Sequence, residues 1–364
     1  MPKGKQPTKR AASIKEVAAR AGVSVATVSR VVNSHENVSN SVRRKVQRAI
    51  EELSYSPNAN ARSLRGGSTR LVGVILRDAE NTAFATLWKA AYDVAAAHDY
   101  QVLVMSSERD AGREAACIDI MLKNKVCGIV AFVADEDRSE LKSPALEIPT
   151  VLVESSLAGV RADNVSSDNF EGSYQAVSYL LSLGHRKIEM LGGSMSRLPG
   201  RERIRGYQQA FEDHGIAFDP KAIWPISHIE GRDSELLKDR LLRKDRSTAI
   251  FAANAHVTIE ALTLVREIGL SIPNDVSFIG YDNEAISELL TPKLTTVNRS
   301  IYQLGVSAVE CLLQRVEDPK ADIRTIRLPS RLTIRASCRA LSGSDARAET
   351  SGRGKQAGTG DRRK

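Results

Sequence analysis

The side chains of residues 13–33 are suited to contacts with a nucleic acid. Arg30 carries a guanidinium, which can bind guanine O6 and N7 or a backbone phosphate. Thr27 and Ser29 carry hydroxyl groups, which favour phosphate contacts. These side chains predict contacts with double-stranded DNA, provided that the backbone holds them on one surface.

The spacing of residues in this segment predicts two short helices joined by a tight turn. Ser13 and Glu16, three residues apart, make a capping box at the start of the first helix. Gly22 tolerates the positive φ of a sharp reversal, and Ser24 caps the second helix. This is the helix-turn-helix pattern, whose second helix can enter a major groove. Periodicity alone also fits an ordinary helical hairpin in a globular domain.

The second helix begins with small apolar side chains. Val25 and Ala26 can touch a thymine methyl group, but they cannot form the paired hydrogen bonds that read a base. Reading of a sequence must therefore depend on other side chains, and Arg30 is the best candidate for a direct base contact.

Two further segments extend the basic N-terminal region. A third helix, with Ser39 at its cap, has an apolar face that closes a small three-helix core against which we expect Tyr55 to pack. Residues 57–64 begin with a proline, but a helix this short is not stable alone in water. We expect it to order only against a partner chain or DNA, the alternative being a plain linker with a buried Leu64.

Charge is divided unevenly along the chain. Residues 1–70 hold 14 Lys and Arg against 4 Asp and Glu, whereas the whole chain has a net charge of +8. The region 71–340 is therefore mildly acidic. A basic head on an acidic body indicates a polyanionic partner for the head alone.

From Leu71 onward the pattern changes to alternating strands and helices. Near-continuous apolar runs such as 71–76 predict parallel strands buried on both faces. The alternation runs to about residue 153 and restarts after residue 168, which predicts two doubly wound α/β lobes in series, similar to a periplasmic binding protein. The chain crosses between the lobes near residues 299 and 329, and such crossovers make a hinge.

These motifs resemble those of the lactose/galactose repressor family, and the resemblance continues to about residue 340. It is carried by Ile14-Lys15-Glu16-Val17-Ala18, Ala21-Gly22-Val23-Ser24, Thr27-Val28-Ser29-Arg30-Val31-Val32-Asn33 and Ala61-Arg62-Ser63-Leu64. The resemblance implies a cytoplasmic, homodimeric repressor that binds a pseudo-palindromic operator. It also implies a hinge helix that pairs with its dimer mate in the minor groove, with Leu64 as the wedge between base pairs.

The resemblance implies two sets of site residues. The operator contacts are Ser13, Val25, Ala26, Thr27, Ser29, Arg30, Asn33, Asn37, Ala61 and Leu64. The contacts to a small effector between the lobes are Phe84, Asp168, Arg197, Arg203, Asn254, Asp282 and Arg299. In the family an arginine at position 203 grips the effector, an aspartate at position 282 accepts from its hydroxyl groups or ring nitrogens, and position 84 supplies an apolar wall.

Three departures from the family pattern concern the effector. The usual Ala-Asn-Asp is Ala253-Asn254-Ala255, so a carboxylate is missing, together with the helix cap that it could supply. The usual Asp-Arg is Glu154-Ser155, and Arg299 occupies a position that is often uncharged. We therefore keep an acidic sugar, a sugar phosphate or a purine beside a neutral sugar as the predicted effector, with Arg197, Arg203 and Arg299 forming a basic cleft.

The sequence predicts the following division of the chain. It has a disordered basic arm at 1–11, a helix-turn-helix head at 12–56, a hinge helix and linker at 57–68, a two-lobed effector-binding and dimerisation domain at 69–340, and a disordered tail at 341–364. Within that domain the first lobe is about 69–168 and 299–328, and the second is about 169–296 and 329–340.

Other classes of protein are poorly supported. The four cysteines are scattered and no ligand spacing is visible, so we expect free thiols, no metal and no cofactor. No export signal or membrane span is visible, which argues against the alternative of a solute-binding protein that serves transport. No nucleophile paired with a general base is visible in the sequence, so we do not expect an enzyme.

Overall fold

The computed structural model describes residues 12–32, 38–53, 55, 69–79, 82–143, 146–226, 228–229, 231–282 and 284–341. The chain divides into two compact units, Met1–Thr69 and Arg70–Lys364. Four predicted operator contacts lie outside the described residues: Asn33, Asn37, Ala61 and Leu64. The predicted N-terminal arm, the whole predicted hinge and linker, and nearly all of the predicted C-terminal tail lie outside them as well.

In the described part of the first unit, three helices surround a small apolar core. They are α1 (Ile14–Ala21), α2 (Val25–Val32) and α3 (Asn40–Glu52). Val17, Val28 and Val46, one from each helix, are fully buried, and the partly buried Tyr55 packs against them as predicted. Each helix thus buries one narrow stripe and exposes the rest, as short amphipathic helices do.

The predicted turn chemistry of the first unit is confirmed, with one exception. Ser13 and Glu16 form both hydrogen bonds of the capping box, and Gly22 adopts φ 66°. The Oγ atom of Ser24 accepts from the backbone N–H of Thr27 at 3.1 Å. Ser39 stands at the cap of α3 but makes no capping hydrogen bond; its hydroxyl lies 3.1 Å from that of Ser41 instead.

The described residues of the second unit form two six-stranded sheets, each flanked by helices. The first sheet has the order β11-β5-β4-β3-β1-β2 and is entirely parallel; the second has the order β12-β10-β9-β8-β6-β7 and is parallel except for β12. We call the first sheet with its helices the first lobe, and the second sheet with its helices the second lobe.

The bounds of the first lobe follow the predicted alternation closely. Its elements are β1 (Leu71–Leu76), α4 (Thr82–Ala97), β2 (Gln101–Ser106), α5 (Ala111–Lys123), β3 (Gly128–Ala131), β4 (Thr150–Val153), β5 (Asp163–Ser167), α11 (Ile301–Glu317) and β11 (Thr325–Leu328). Helix α11 packs its buried face on α4 and on the strands, although the chain enters it from the second lobe.

The second lobe is built in the same way. Its elements are α6 (Asn169–Ser182), β6 (Ile188–Leu191), α7 (Leu198–Asp213), β7 (Ile223–Trp224), α8 (Gly231–Leu242), β8 (Ala249–Ala252), α9 (Ala255–Glu267), β9 (Ser277–Tyr281), α10 (Glu284–Leu289), β10 (Thr295–Arg299) and β12 (Ser330–Thr333). Strand β10 lies in the second sheet, so the chain crosses to the first lobe only after Arg299.

Two strands of the first lobe, β5 and β11, were not predicted, because neither is a continuous apolar run. Strand β5 begins with Asp163, which is fully buried. Its carboxylate accepts from Arg315 of α11 at 2.8 and 2.9 Å, and these contacts hold its pKa below the usual range despite burial. A partner distant in sequence thus makes a polar strand stable inside the fold.

Two bulk features complete the description. All four cysteines are free, with Cys117 and Cys311 buried and the other two partly buried, as expected. Among the described residues, no helix is both long and apolar enough to cross a membrane.

Candidate effector cavity and DNA-reading helix

A cavity of about 300 Å³ lies between the two lobes, at the carboxyl ends of the strands. Open α/β sheets bind ligands at this edge, because the loops after parallel strands converge there. The predicted effector residues Phe84, Arg197, Arg203, Asn254, Asp282 and Arg299 all line it. The family resemblance therefore selected side chains from both lobes that line the same cavity.

Three charged side chains that line the cavity form a triad. Arg299 donates to Asp282 at 3.1 and 2.5 Å and to Glu154 at 3.0 Å. Burial alone would raise the pKa of Glu154, but Arg299 and hydrogen bonds from Ser167 and Asn169 lower it below its ordinary value. Arg299 therefore lines the cavity with its charge balanced by two carboxylates, which differs from the free cation expected of a basic cleft.

Arg203 is fixed by neutral partners. Its Nε and Nη2 atoms donate to Oδ1 of Asn169 at 2.9 and 2.7 Å, and Nη1 donates to the carbonyl of Ala253. The guanidinium also lies 3.9 Å from the ring centroid of Tyr281, within cation–π range. Arg203 is thus held in one orientation while its charge is not neutralised by a carboxylate among the described residues.

Two more arginines enter the cavity from opposite lobes. Arg77 follows β1 of the first lobe and Arg197 precedes α7 of the second. Burial, with the charges of Arg197 and Arg109, lowers the pKa of Arg77 to about 9. Burial also lowers the pKa of Arg197 to about 10 against the opposing effect of Glu136. Arg77 was missed, since nothing in its local sequence shows that it meets Arg197.

Asn254 and Asp168 are helix caps. Asn254 accepts from the backbone N–H of Val257 at 2.9 Å, so it caps α9 and supplies the cap that Ala255 lacks, while still lining the cavity. Asp168 accepts from the N–H of Glu171 at 3.0 Å and caps α6. It does not line the cavity, which corrects its assignment as a cavity side chain; its charge faces Arg327 at 3.8 Å.

One wall of the cavity is apolar. Phe84 packs edge to face on Phe132 with ring centroids 5.0 Å apart, and Leu87 and Leu304 extend this wall. An apolar wall opposite charged and amide groups suits a ligand with a hydrophobic face and polar edges, such as a sugar ring or a purine.

A polar chain joins the lobes at the border of the cavity. Arg109 of the first lobe donates to Asp78 at 2.5 Å, and its Nη1 lies 2.5 Å from Nε2 of His228 in the second lobe. Glu260 then accepts from His228 at 3.2 Å and lies 2.9 Å from His256. One nitrogen of His228, one nitrogen of His256 and one carboxylate oxygen of Glu260 lie within 4.8 Å of one another, a cluster that histidine spacing along the chain did not reveal.

The N-terminal unit presents part of α2 to solvent. Ala26 and Arg30 are exposed, whereas Val25, Thr27 and Ser29 are half-buried. The hydroxyl of Thr27 lies 2.9 Å from that of Ser24, which restrains its rotamer. A small exposed residue followed one turn later by an exposed arginine leaves space for a base pair to approach the helix.

Comparisons with known proteins match both parts of the chain. Residues 13–58 match the family described as bacterial regulatory proteins, lacI family, and residues 177–338 match the periplasmic binding protein-like domain. The HTH-type transcriptional repressor PurR of Vibrio vulnificus is 30% identical over 328 residues, covering 89% of this chain and 98% of that protein. The chain belongs to the LacI family.

Two further relatives place the chain within the LacI family. Catabolite control protein A of Priestia megaterium is 31% identical over 329 residues, covering 89% of this chain and 98% of that protein. The crystal structure of the lac repressor dimer bound to operator and the anti-inducer ONPF has a TM-score of 0.79 and 26% identity, covering 91% of this chain and all of that one. The chain is therefore a DNA-binding transcriptional regulator with a two-lobed effector-type domain.

Proposed function

We propose that this LacI-family protein is a homodimeric repressor whose affinity for a pseudo-palindromic operator changes when a small carbohydrate-like effector binds between its lobes. The observation that carries the proposal is the inter-lobe cavity lined by Arg203, Asn254 and Asp282, in a chain whose α2 exposes Arg30. An effector can shift operator affinity only through its different affinities for two conformations of the protein. Effector binding alone changes the operator affinity, so this function requires no catalytic step.

Each proposed activity is assigned to one of the predicted segments of the chain. We propose residues 12–56 as the operator-reading head, 57–68 as the hinge and 69–340 as the effector-binding and dimerisation domain. Operator DNA as the partner implies that the protein works in the cytoplasm.

Dimerisation has support in an exposed aromatic patch on the first lobe. Trp88 and Tyr92 of α4 are 46% and 52% exposed, with ring centroids 6.2 Å apart, and Tyr302 of the adjacent α11 is 45% exposed. Aromatic side chains are enriched at protein interfaces relative to the rest of a surface. We assign this patch to the contact between two copies of the chain.

The test begins with an operator selected from random duplex DNA by the full-length protein. Operator affinity is then measured by fluorescence anisotropy, and thermal unfolding is followed, with and without neutral sugars, sugar acids, sugar phosphates and purines. A ligand at 100 times its Kd adds about 2.7 kcal/mol to the free energy of unfolding, which a melt detects readily. We expect one class to raise the melting temperature and to change operator affinity at least tenfold.

A head variant separates the two activities. Arg30→Ala should weaken operator binding and leave the effector-induced melting shift unchanged, because it alters only the exposed surface of α2. If a ligand that stabilises the protein leaves operator affinity unchanged, effector control is disproved, and if no duplex is enriched, the repressor function is disproved.

A further inference from the structure

Among the residues that the structure describes, the arginines lining the cavity outnumber the carboxylates lining it. The arginines are at positions 77, 109, 197, 203 and 299, and the two carboxylates are Glu154 and Asp282. Both of these carboxylates are bound by Arg299. Arg109 is paired outside the lining, with Asp78. Within the part of the chain that the structure describes, three cavity arginines are left without an ion pair.

Arg197 is the clearest sign of a missing partner. Its Nε atom is buried and has no hydrogen-bond partner among the described residues. The nearby carboxylate of Glu136 is already occupied, by Arg201 at 2.7 Å and by the backbone N–H of Leu198 at 2.9 Å. A buried donor on a charged group is costly to leave unpaired, so a site built this way favours an acceptor brought by a ligand.

Arg77 faces the same cavity from the other lobe. Arg77 is half-buried and makes no ion pair with any described residue. The positive charge of Arg197 lowers the pKa of Arg77, which disfavours the charged form of Arg77. The two lobes therefore present like charges to each other across the cavity. The start of α7, which includes cavity residues Pro199 and Gly200, adds the positive end of a helix dipole.

We propose that the effector carries a phosphate or carboxylate group that binds between Arg77 and Arg197, with its uncharged part on Phe84, Asn254 and Asp282. The anion supplies the acceptor that Arg197 lacks and cancels the repulsion between the lobes, so its binding favours their closure. The inference rests on the proposed effector function of this cavity and narrows it to an anionic polyol. It also moves the source of positive charge from Arg299, which is neutralised, to Arg77.

The test is isothermal titration of the full-length protein, in a buffer free of phosphate, with matched ligand pairs. Ribose is compared with ribose 5-phosphate, and glucose with glucose 6-phosphate and gluconate, so that the phosphate and carboxylate sources are distinguished; hypoxanthine represents uncharged purines. We expect one anionic member to bind at least tenfold more tightly than its neutral parent, and the difference to shrink as KCl is raised from 50 to 300 mM.

Two cavity variants and one matched control locate the anion. Arg77→Gln and Arg197→Gln should each lower the affinity for the anion at least tenfold. Each should also raise the melting temperature of the ligand-free protein, because the repulsion between two like charges is removed. A merely structural arginine would lower that temperature. Arg205→Gln removes the same charge from an exposed position on α7 and should change neither value.

The outcomes separate this inference from the function on which it rests. If neutral sugars or hypoxanthine bind as tightly as the anions, or if Arg77→Gln leaves anion affinity intact, the anionic effector is disproved, and effector control is still supported wherever the neutral ligand alters operator affinity. If an anion binds as described but operator affinity is unaffected, the anion site is supported and effector control fails.

Discussion

Arg299 and Glu154 form an ion pair with an N–O distance of 3.0 Å, although Arg299 ends a strand of the second lobe and Glu154 follows a strand of the first. The pair is nearly inaccessible to solvent, with side-chain exposures of 12% and 5%. It lies where the chain passes between the lobes, and Asp282 completes it from the second lobe. The contact therefore ties the two lobes beside the effector cavity.

Removal of this arginine should be strongly destabilising. Arg299→Met leaves two buried carboxylates without a cation, and breaking such a pair costs about 3 kcal/mol or more of the free energy of unfolding. Because burial raises the pKa of Glu154 once Arg299 no longer opposes it, the loss should become smaller as the pH falls from 7 to 5. Urea unfolding followed by tryptophan fluorescence measures both effects.

An exposed ion pair provides the control for that variant. Arg70 contacts Asp99 at 3.2 Å, and the two side chains are 65% and 88% exposed, so solvent screens the interaction. Arg70→Met should cost less than about 1 kcal/mol. Equal losses for the two variants would show that the Arg299 triad is no stronger than a surface ion pair.

His185 should make the stability of the protein depend on pH. It is fully buried, with Nε2 3.1 Å from the carbonyl of Arg339, which can only accept, and Nδ1 2.8 Å from the hydroxyl of Thr248. The ring is therefore held neutral, and burial lowers its pKa to about 4. Unfolded histidine titrates near pH 6.5, so the unfolded state gains a proton first as the pH falls.

The expected loss from His185 is up to about 3 kcal/mol between pH 6.5 and 4, with stability highest above pH 6.5. His185→Gln, which keeps a donor toward Arg339, should remove this part of the pH dependence in urea unfolding measured at pH 7, 6, 5 and 4.5. The exposed His214 serves as the control, and His214→Gln should leave the slope unchanged. A wild-type slope that persists in His185→Gln would contradict the assignment.

Gly206 allows α7 to lie close against α6. A Cβ atom at this position would stand 2.3 Å from the carbonyl oxygen of Phe170, which is backbone and cannot rotate away. Gly206→Ala should therefore cost about 1–3 kcal/mol through overpacking. It should also weaken effector binding, because Arg203 reaches Asn169 across this same contact.

The control for Gly206 is Gly112 in the first turn of α5. It is exposed, and a Cβ atom there would meet only a side-chain oxygen of Asp110 at 3.2 Å. Gly112→Ala should be neutral or slightly stabilising, since alanine has the higher helix propensity. Thermal unfolding of the two variants compares them, and a neutral Gly206→Ala would show that α6 and α7 can separate without loss.

Local signals carried most of what the sequence predicted correctly. Caps and turns such as Ser13 and Gly22 act over a few residues, and the apolar runs of β1 and β8 require burial wherever they lie. Strand β5 was missed because its stability depends on Arg315, a contact that no local pattern records.

The site shows the same division between local and distant information. Family resemblance brought six effector residues to one cavity but did not show which arginines are neutralised. Arg299 meets carboxylates from two distant strand ends, whereas Arg77 meets another cation. Whether a charge is paired is a property of the folded chain, so the electrostatics of this cavity could be seen only in the structure.

Arg30 is expected to carry direct reading of the operator. Its side chain is exposed on α2, one turn after the small Ala26, and a bidentate arginine–guanine contact is worth about 1–3 kcal/mol, or roughly fivefold to 150-fold in affinity. Arg30→Ala should lose this affinity for the selected operator and little for random DNA. Arg20, paired with Glu52 at 2.7 Å, is the control, because Arg20→Ala removes a charge from the same unit outside α2.

Anisotropy titrations at two salt concentrations distinguish a base contact of Arg30 from a phosphate contact. If Arg30→Ala weakens operator and random DNA equally and lowers the salt dependence by about one ion, Arg30 binds a phosphate, and base reading lies elsewhere on the head.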